Sequence, residues 1–308
     1  MSAPVEHKIV AARFGTIAGT EVSLFRIPNS TNDYIEVSDY GCTIKGIHVH
    51  GKDGKLHNVL CGYETLEEYQ VGGLELGAVT GTLNGQPLPT AHRLWNVEEI
   101  GENHLFLSCR LSAEDTPAGI ACALGARIMW VNLNRIVIDL FATPEKDACL
   151  APTSNLVLRL QDPPELTGYT LRTFCPEVLL DGQRRPVSQS DYAEMTFVPL
   201  AAHPQTFVSD RDEIKPMAEL VHTAAAFTVS AYSTMSAIRV SPQPGLGGVQ
   251  VLPFLLDGLS LAAGQSFAGR IICGFDRLYT KEELEESALS PFAAFIWAAD
   301  PDVDMISA

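Results

Sequence analysis

Short segments in which apolar and polar residues alternate, each closed by a turn cluster, dominate this sequence of 308 residues. In NHLFLSCRLS, Leu105, Leu107, Cys109 and Leu111 fall on one face. In NRIVIDLFAT, Ile136, Ile138 and Leu140 do the same, with Asp139 opposed to them. A period of two over such lengths sends successive side chains to opposite faces of a strand with one buried side. The pattern recurs at 21–27, 34–41, 43–51, 226–233, 236–242 and 267–275. Between the runs stand HGKDGKLHN, LNGQPLPT, QDPPELTG, LLDGQRRP and SPQPGLGG, whose Gly, Pro, Asn and Asp supply the dihedrals that tight turns require. No long amphipathic helix interrupts before residue 280, which disfavours a parallel sheet with crossover helices. The chain reads as all-β, a large antiparallel β-sandwich in one domain over residues 1–279.

Residues 280–308 differ in kind. Thr280 followed by Glu283 makes a capping-box start for a short acidic helix, KEELEESAL. After Pro291 comes FAAFIWAA, with Phe292, Phe295, Ile296 and Trp297. A segment this apolar is expected to fold back onto the sandwich, to cover a pocket mouth, or to dock on a second copy as a homodimer.

Charge narrows the partners. Asp plus Glu number 37 against 21 Lys plus Arg, a formal charge of −16. Such a surface repels phosphate backbones and anionic membranes, so nucleic acid and membrane are not expected partners. A small neutral or cationic molecule suits it better. The opening MSAPVEHKIV has no basic region followed by an apolar run, and no stretch approaches the roughly 18 uninterrupted apolar residues of a membrane span. The seven cysteines (Cys42, Cys61, Cys109, Cys122, Cys149, Cys175 and Cys273) are scattered, with no CxxC. Buried free thiols in a reducing cytoplasm are the expectation. The glycines of VGGLELG and PGLGG lack the following helix and lysine of a phosphate cradle, so no cofactor is expected there. His48 and His50, at i and i+2 on one strand face, offer only half a metal site, and no metal is expected.

The first eighty residues carry a further ordered series. ARFGTIAGTEVSLFRIPN is followed by YIEVSDYGCTIKGIHVHGKDGK, HNVLCGYETLEEYQ and LGAVTGTLNG. This order resembles the opening of the aldose 1-epimerase (galactose mutarotase) family: a Phe-Gly strand entry, an N-Y-G-A-x-I-like strand, a D-x-x-G turn, and V-x-L-G-(F/Y) ending on Tyr. Here Tyr40, Gly41, Ile44, Asp53, Gly54, Val59, Gly62, Tyr63 and Tyr69 fill those places. Beyond residue 95 the resemblance continues as strand rhythm with two anchors, LAPTSNLVLRL and VSPQPG. It implies the galactose mutarotase-like supersandwich. It also implies a site in which a carboxylate deprotonates an anomeric hydroxyl while an imidazolium protonates the ring oxygen.

At the motifs, the chemistry departs from that family. The arginine after the G-A-x-x-G strand is replaced by Thr82. TSNLVL puts Asn155 in place of the general-acid histidine, VSPQ puts Ser241 at the catalytic base, and PQTF puts Pro204 at the sugar-holding aspartate. An amide or a hydroxyl does not exchange a proton in these roles at neutral pH. His92, in PLPTAHRLW, stands where a loop histidine of the family belongs, and His203 adjoins Pro204. These two histidines are the candidate catalytic groups. Thr82, Asn84, Trp95, Asn155, Gln205, Ser241 and Gln243 are the candidate ligand contacts.

Three functions fit. The first is a repurposed enzyme that isomerises or cyclises a small neutral, non-sugar metabolite by positioning and hydrogen bonding, in a pocket made more apolar by Thr82, Leu156, Val157 and Pro204. The second is a residual mutarotase in which His92 works with an acidic residue outside the motifs. The third is a non-catalytic carbohydrate-binding protein that uses Trp95 as a platform with Asn155 and Gln243.

Overall fold

The computed structural model describes residues 8–131, 134–161, 166–193, 197–211 and 213–277. The acidic helix and apolar segment expected beyond residue 279 lie outside the described residues.

Five strands open the chain as a meander: β1 (Val10–Ile17), β2 (Thr20–Pro28), β3 (Tyr34–Ser38), β4 (Thr43–His50) and β5 (Leu56–Asn58). A six-residue helix, α1 (Leu66–Val71), follows; its start is a capping box in which Thr65 and Glu68 satisfy each other's backbone N–H. Next come β6 (Val79–Leu83), β7 (Gln86–Pro87), β8 (Asn96–Ile100), β9 (His104–Leu111), β10 (Cys122–Val131) and β11 (Arg135–Pro144). Then follow β12 (Ala148–Ser154), β13 (Leu156–Leu158), β14 (Tyr169–Thr173), β15 (Glu177–Leu180), β16 (Gln183–Pro186), β17 (Val198–Pro199) and β18 (Gln205–Val208). The last are β19 (Lys215–His222), β20 (Phe227–Ser233), β21 (Ala237–Gln243), β22 (Gly248–Phe254), β23 (Leu259–Leu261) and β24 (Phe267–Arg277).

Three sheets join the meander. One has nine strands in the order β17-β14-β19-β20-β24-β11-β10-β9-β8, one has six in the order β13-β22-β21-β18-β15-β16, and one has four in the order β23-β12-β6-β7. Neighbours pair antiparallel, as in β10 with β11 and β21 with β22, so short turns suffice as connections. Two-residue hairpin loops in type I′ turns need φ > 0 at both positions to match strand twist. Asn84 and Gly85 sit at φ 51° and 74°, Asp181 and Gly182 at 51° and 75°.

One core draws side chains from all four sheets: Phe25 and Ile35 from the meander, Leu83 and Leu150 from the four-stranded sheet, Val240 and Val251 from the six-stranded sheet, Ile138 and Ile271 from the nine-stranded one. The predicted faces hold. Leu105, Leu107, Cys109 and Leu111 are at most 4% exposed, each contributing about 1.5–3 kcal/mol for the larger side chains. All seven cysteines are free, six buried and Cys149 partly so. Burial pushes the Cys175 thiol up to about 12 and raises Cys42 further, which keeps both protonated and unreactive. No helix among the described residues is long and apolar enough to cross a membrane.

Candidate functional site

β12 and β13 are one run of chain that changes sheets. β12 pairs with β6 and β23, whereas β13 pairs with β22; Asn155 is the residue between them. Its N–H donates to Ala78 O (3.0 Å), and its carbonyl accepts from the Gly77 N–H (2.7 Å). The 77–79 segment comes this close because residue 77 is glycine: φ is +69°, and a Cβ there would fall 1.9 Å from Ile44 O. With its backbone fixed, the Asn155 side chain donates through Nδ2 to Glu75 O (2.9 Å) and accepts at Oδ1 from Gln250 Nε2 (2.6 Å).

Ladder register extends this amide pair into a face. Val157, Gln250 and Ser241 are successive cross-strand partners, as are Leu252, Arg239 and Thr206. Because side chains alternate, these six share one side of the six-stranded sheet, and Leu156, Val251, Val240 and Gln205 share the other. The second side is the core, which takes in Leu156, Val251 and Val240. On the first side Gln243 Nε2 donates to Ser241 Oγ (3.4 Å), and the Arg239 guanidinium lies 5.3 Å over the Phe254 ring.

An apolar wall closes one end of the face. Val157 packs in a second cluster with Tyr40, Cys61, Leu66, Tyr69 and Leu76, joined by Tyr63 and Leu246. Above this cluster the Tyr40 hydroxyl is 3.4 Å from Nδ1 of His92, an exposed residue ending a 3-10 turn at Pro89–His92. The Gly41 N–H donates to Arg93 O and the Val79 N–H to Gly41 O. The main chain thus ties the Tyr40–His92 pair to the strand that holds Asn155.

Asp39, next to Tyr40, is 6% exposed. Desolvation pushes its carboxyl up to about 6, against the opposing pull of the Ser23 N–H it accepts at 2.9 Å. The unfolded chain therefore loses this proton first, so Asp39 lowers stability as pH rises from about 4 through about 6. Asp39→Asn keeps the acceptor and removes the charge. We expect a gain of about 1–2 kcal/mol at pH 7.5 that vanishes below pH ~4, measured by urea unfolding across that range.

Of the predicted residues, Asn155, Ser241 and Gln243 come together on this face. Pro204 lies one residue ahead of the Gln205↔Val240 pair, alongside Ser241 in the extended register. Thr82 is on β6 of the adjoining sheet, on the side shared with Thr80, Ala151 and Thr153. Three expectations are corrected. Trp95 is 2% exposed and its indole N–H donates to Thr90 O (3.1 Å), so it is a core residue and no ligand platform. Asn84 is a hairpin residue whose Oδ1 accepts from Cys149 N–H (2.8 Å). Gln205 faces away from Ser241, because strand alternation puts it beside Val240. His203, the other candidate catalytic group, is exposed on the loop before β18. Of the four residues expected to make the pocket apolar, Leu156 points into the core and Val157 is buried in the second cluster, each 2% exposed, whereas Thr82 and Pro204 lie as described above.

Gln250 and Arg239 were missed. Their signal was present: each is a polar residue flanked by buried apolar neighbours, Val249 and Val251 or Ile238 and Val240. Alternation reveals that they point outward, but nothing local says toward what. His48 and His50 engage separate carboxylates, His48 lying 3.4 Å from Glu36 and stacked on Tyr34 at 4.2 Å, His50 Nδ1 bonded to Asp33 at 2.5 Å. Among the described residues no group of three or more His, Cys, Asp or Glu is placed to hold a metal ion.

No family model matches the sequence, and no curated protein matches it. Solved structures do match its fold. A GalM/aldose epimerase homologue from C. elegans superposes with a TM-score of 0.73 at 13% identity, covering 84% of this chain and all of that one. Galactose 1-epimerase from Lactobacillus acidophilus gives 0.72 at 13% identity over 88% of this chain and 99% of that one. A galactose mutarotase-like protein from Clostridium acetobutylicum gives 0.65 at 9% identity over 88% and 99%. The fold is thus the galactose mutarotase-like β-sandwich.

Proposed function

We propose that this chain is a repurposed mutarotase-like enzyme. It binds a small, uncharged, hydroxyl- or carbonyl-bearing metabolite on the Asn155–Gln250–Ser241–Gln243 face and promotes its isomerisation or cyclisation by positioning. The observation that carries this reading is the 2.6 Å bond between Gln250 Nε2 and Asn155 Oδ1. Two amides held against each other fix the direction of their remaining donor and acceptor, so the face presents an oriented set of neutral groups. Orientation of a reactive conformer can lower a barrier by several kcal/mol without an acid or base. Arg239 supplies a cation on the same side of the sheet, and the main chain ties the Tyr40–His92 pair to the strand that holds Asn155. The all-free cysteines favour a reducing compartment as its place of action.

Calorimetry against a panel of sugars, polyols, lactones and hydroxyketones tests the reading. A bound compound is expected to lose roughly tenfold or more in affinity with Asn155→Leu or Gln250→Leu, since each leaves a partner unpaired. Polarimetry on glucose and galactose is expected to give the uncatalysed rate from pH 5 to 8. Catalysed mutarotation abolished by His92→Ala would replace this proposal with the residual epimerase. Binding of sugars without turnover would favour the carbohydrate-binding alternative, which the burial of Trp95 weakens.

A further inference from the structure

An outer sheet of a sandwich faces water on one side, so burial should alternate along its strands. β9 obeys: from His104 to Arg110 every second residue is buried. The middle of the nine-stranded sheet does not, because residues 136–140 of β11 and 271–275 of β24 are buried at every position. On the side away from the core, Val137, Ile272 and Val221 are 2%, 6% and 7% exposed. Yet they belong to neither core cluster of the described residues.

Register organises that outer side. Met129, Val137, Ile272 and Tyr232 form one row across β10, β11, β24 and β20. Phe106 and Phe141 meet edge to face nearby, at 6.0 Å. One flanking row is Arg127, Asp139 and Arg270. The other runs through Arg135, Gly274, Ser230, Glu219 and Arg172, with Arg172 Nε donating to Glu219 at 2.8 Å. An apolar stripe is thus bracketed by arginines, and Nε of Arg127 is buried with no hydrogen-bond partner.

We propose that this face is the docking surface for the chain's own C-terminal segment, with Phe292, Phe295, Ile296 and Trp297 lying on the Met129–Val137–Ile272–Tyr232 row. Three observations favour this occupant. The described chain ends at Arg277 on β24, the central strand of this sheet. Ile272 is five residues back along that strand, roughly 17 Å; residues 278–291 span roughly 20 Å as helix and roughly 50 Å extended, so the apolar block reaches the row either way. The charge order is also complementary. Glu282, Glu283, Glu285 and Glu286 precede the block and Asp300, Asp302 and Asp304 follow it. The two flanking rows hold four arginines against Asp139 and Glu219, with which Arg270 and Arg172 are already paired, leaving an excess of two positive charges. Covalent attachment makes the segment's local concentration far higher than that of a second copy.

Crosslinking in the full-length chain tests this. Met129→Cys combined with Phe295→Cys, treated in dilute solution with a short bis-maleimide, is expected to yield a 129–295 crosslink within one chain. Each single variant measures background from Cys149, and Lys55→Cys with Phe295→Cys reports random encounter from an exposed site on the first sheet. A crosslink between two chains would assign the face to a second copy and overturn the proposal. So would a 129–295 yield no greater than the Lys55 control. As a second readout, the triple change Phe295→Ser, Ile296→Ser and Trp297→Ser is expected to lower Tm by roughly 5 °C. It should also raise the reactivity of Met129→Cys toward a small maleimide several-fold; unchanged reactivity would equally reject the docking.

Discussion

Replacing Gly77 with alanine is expected to cost at least about 3 kcal/mol and to abolish ligand binding on the Asn155 face. Part of the cost, about 1–2 kcal/mol, is the left-handed conformation at φ +69°. The rest is steric: the new Cβ would meet Ile44 O at 1.9 Å, and a backbone oxygen cannot rotate away as a side chain does. The 77–79 segment must then move, and it carries both main-chain bonds that hold Asn155. Gly85→Ala is the control. It has a similar φ of +74° but nothing within 4 Å of the added Cβ, so only the conformational cost of about 1–2 kcal/mol applies. Equal losses in the two variants by guanidinium unfolding would show that the contact with Ile44 is not tight.

Asp139→Ala is expected to be the most damaging change far from the site, costing about 3–5 kcal/mol. Arg270 grips Asp139 with two bonds, Nε to Oδ1 at 2.5 Å and a terminal nitrogen to Oδ2 at 2.9 Å. Both side chains are at most 14% exposed. Arg127 stands opposite Asp139 on the next strand, so removing the carboxylate leaves two guanidinium groups facing each other with little water. The double change Asp139→Leu with Arg270→Met should recover most of the loss, since no charge is then left buried without its partner. Thermal unfolding of the two variants beside the unaltered chain decides this. A double variant as unstable as Asp139→Ala would mean that packing at these positions, and not charge burial, sets the cost.

The predicted strands around Leu105–Leu111, Ile136–Leu140 and 267–275 were legible because alternation is a local property that survives without knowledge of partners. The hairpin at Asn84–Gly85 was equally legible as a turn, and for that reason Asn84 should have been assigned to the turn and not to a ligand. Trp95 went wrong differently. A large aromatic with one polar atom reads as a binding platform or as core with equal ease, and only the position of Thr90 O decides between them.

By itself, the sequence determined an antiparallel sandwich of short strands, the inward sets of its residues and its free cysteines. These follow from side-chain chemistry and from periodicity within single segments. Only the tertiary structure decided that Asn155 and Gln250 are bonded, that Gln205 turns its back on Ser241, and that β11 and β24 are buried on both sides. Each of those depends on register between strands far apart in sequence, and a shift of one residue in register reverses the face on which every side chain of a strand lies.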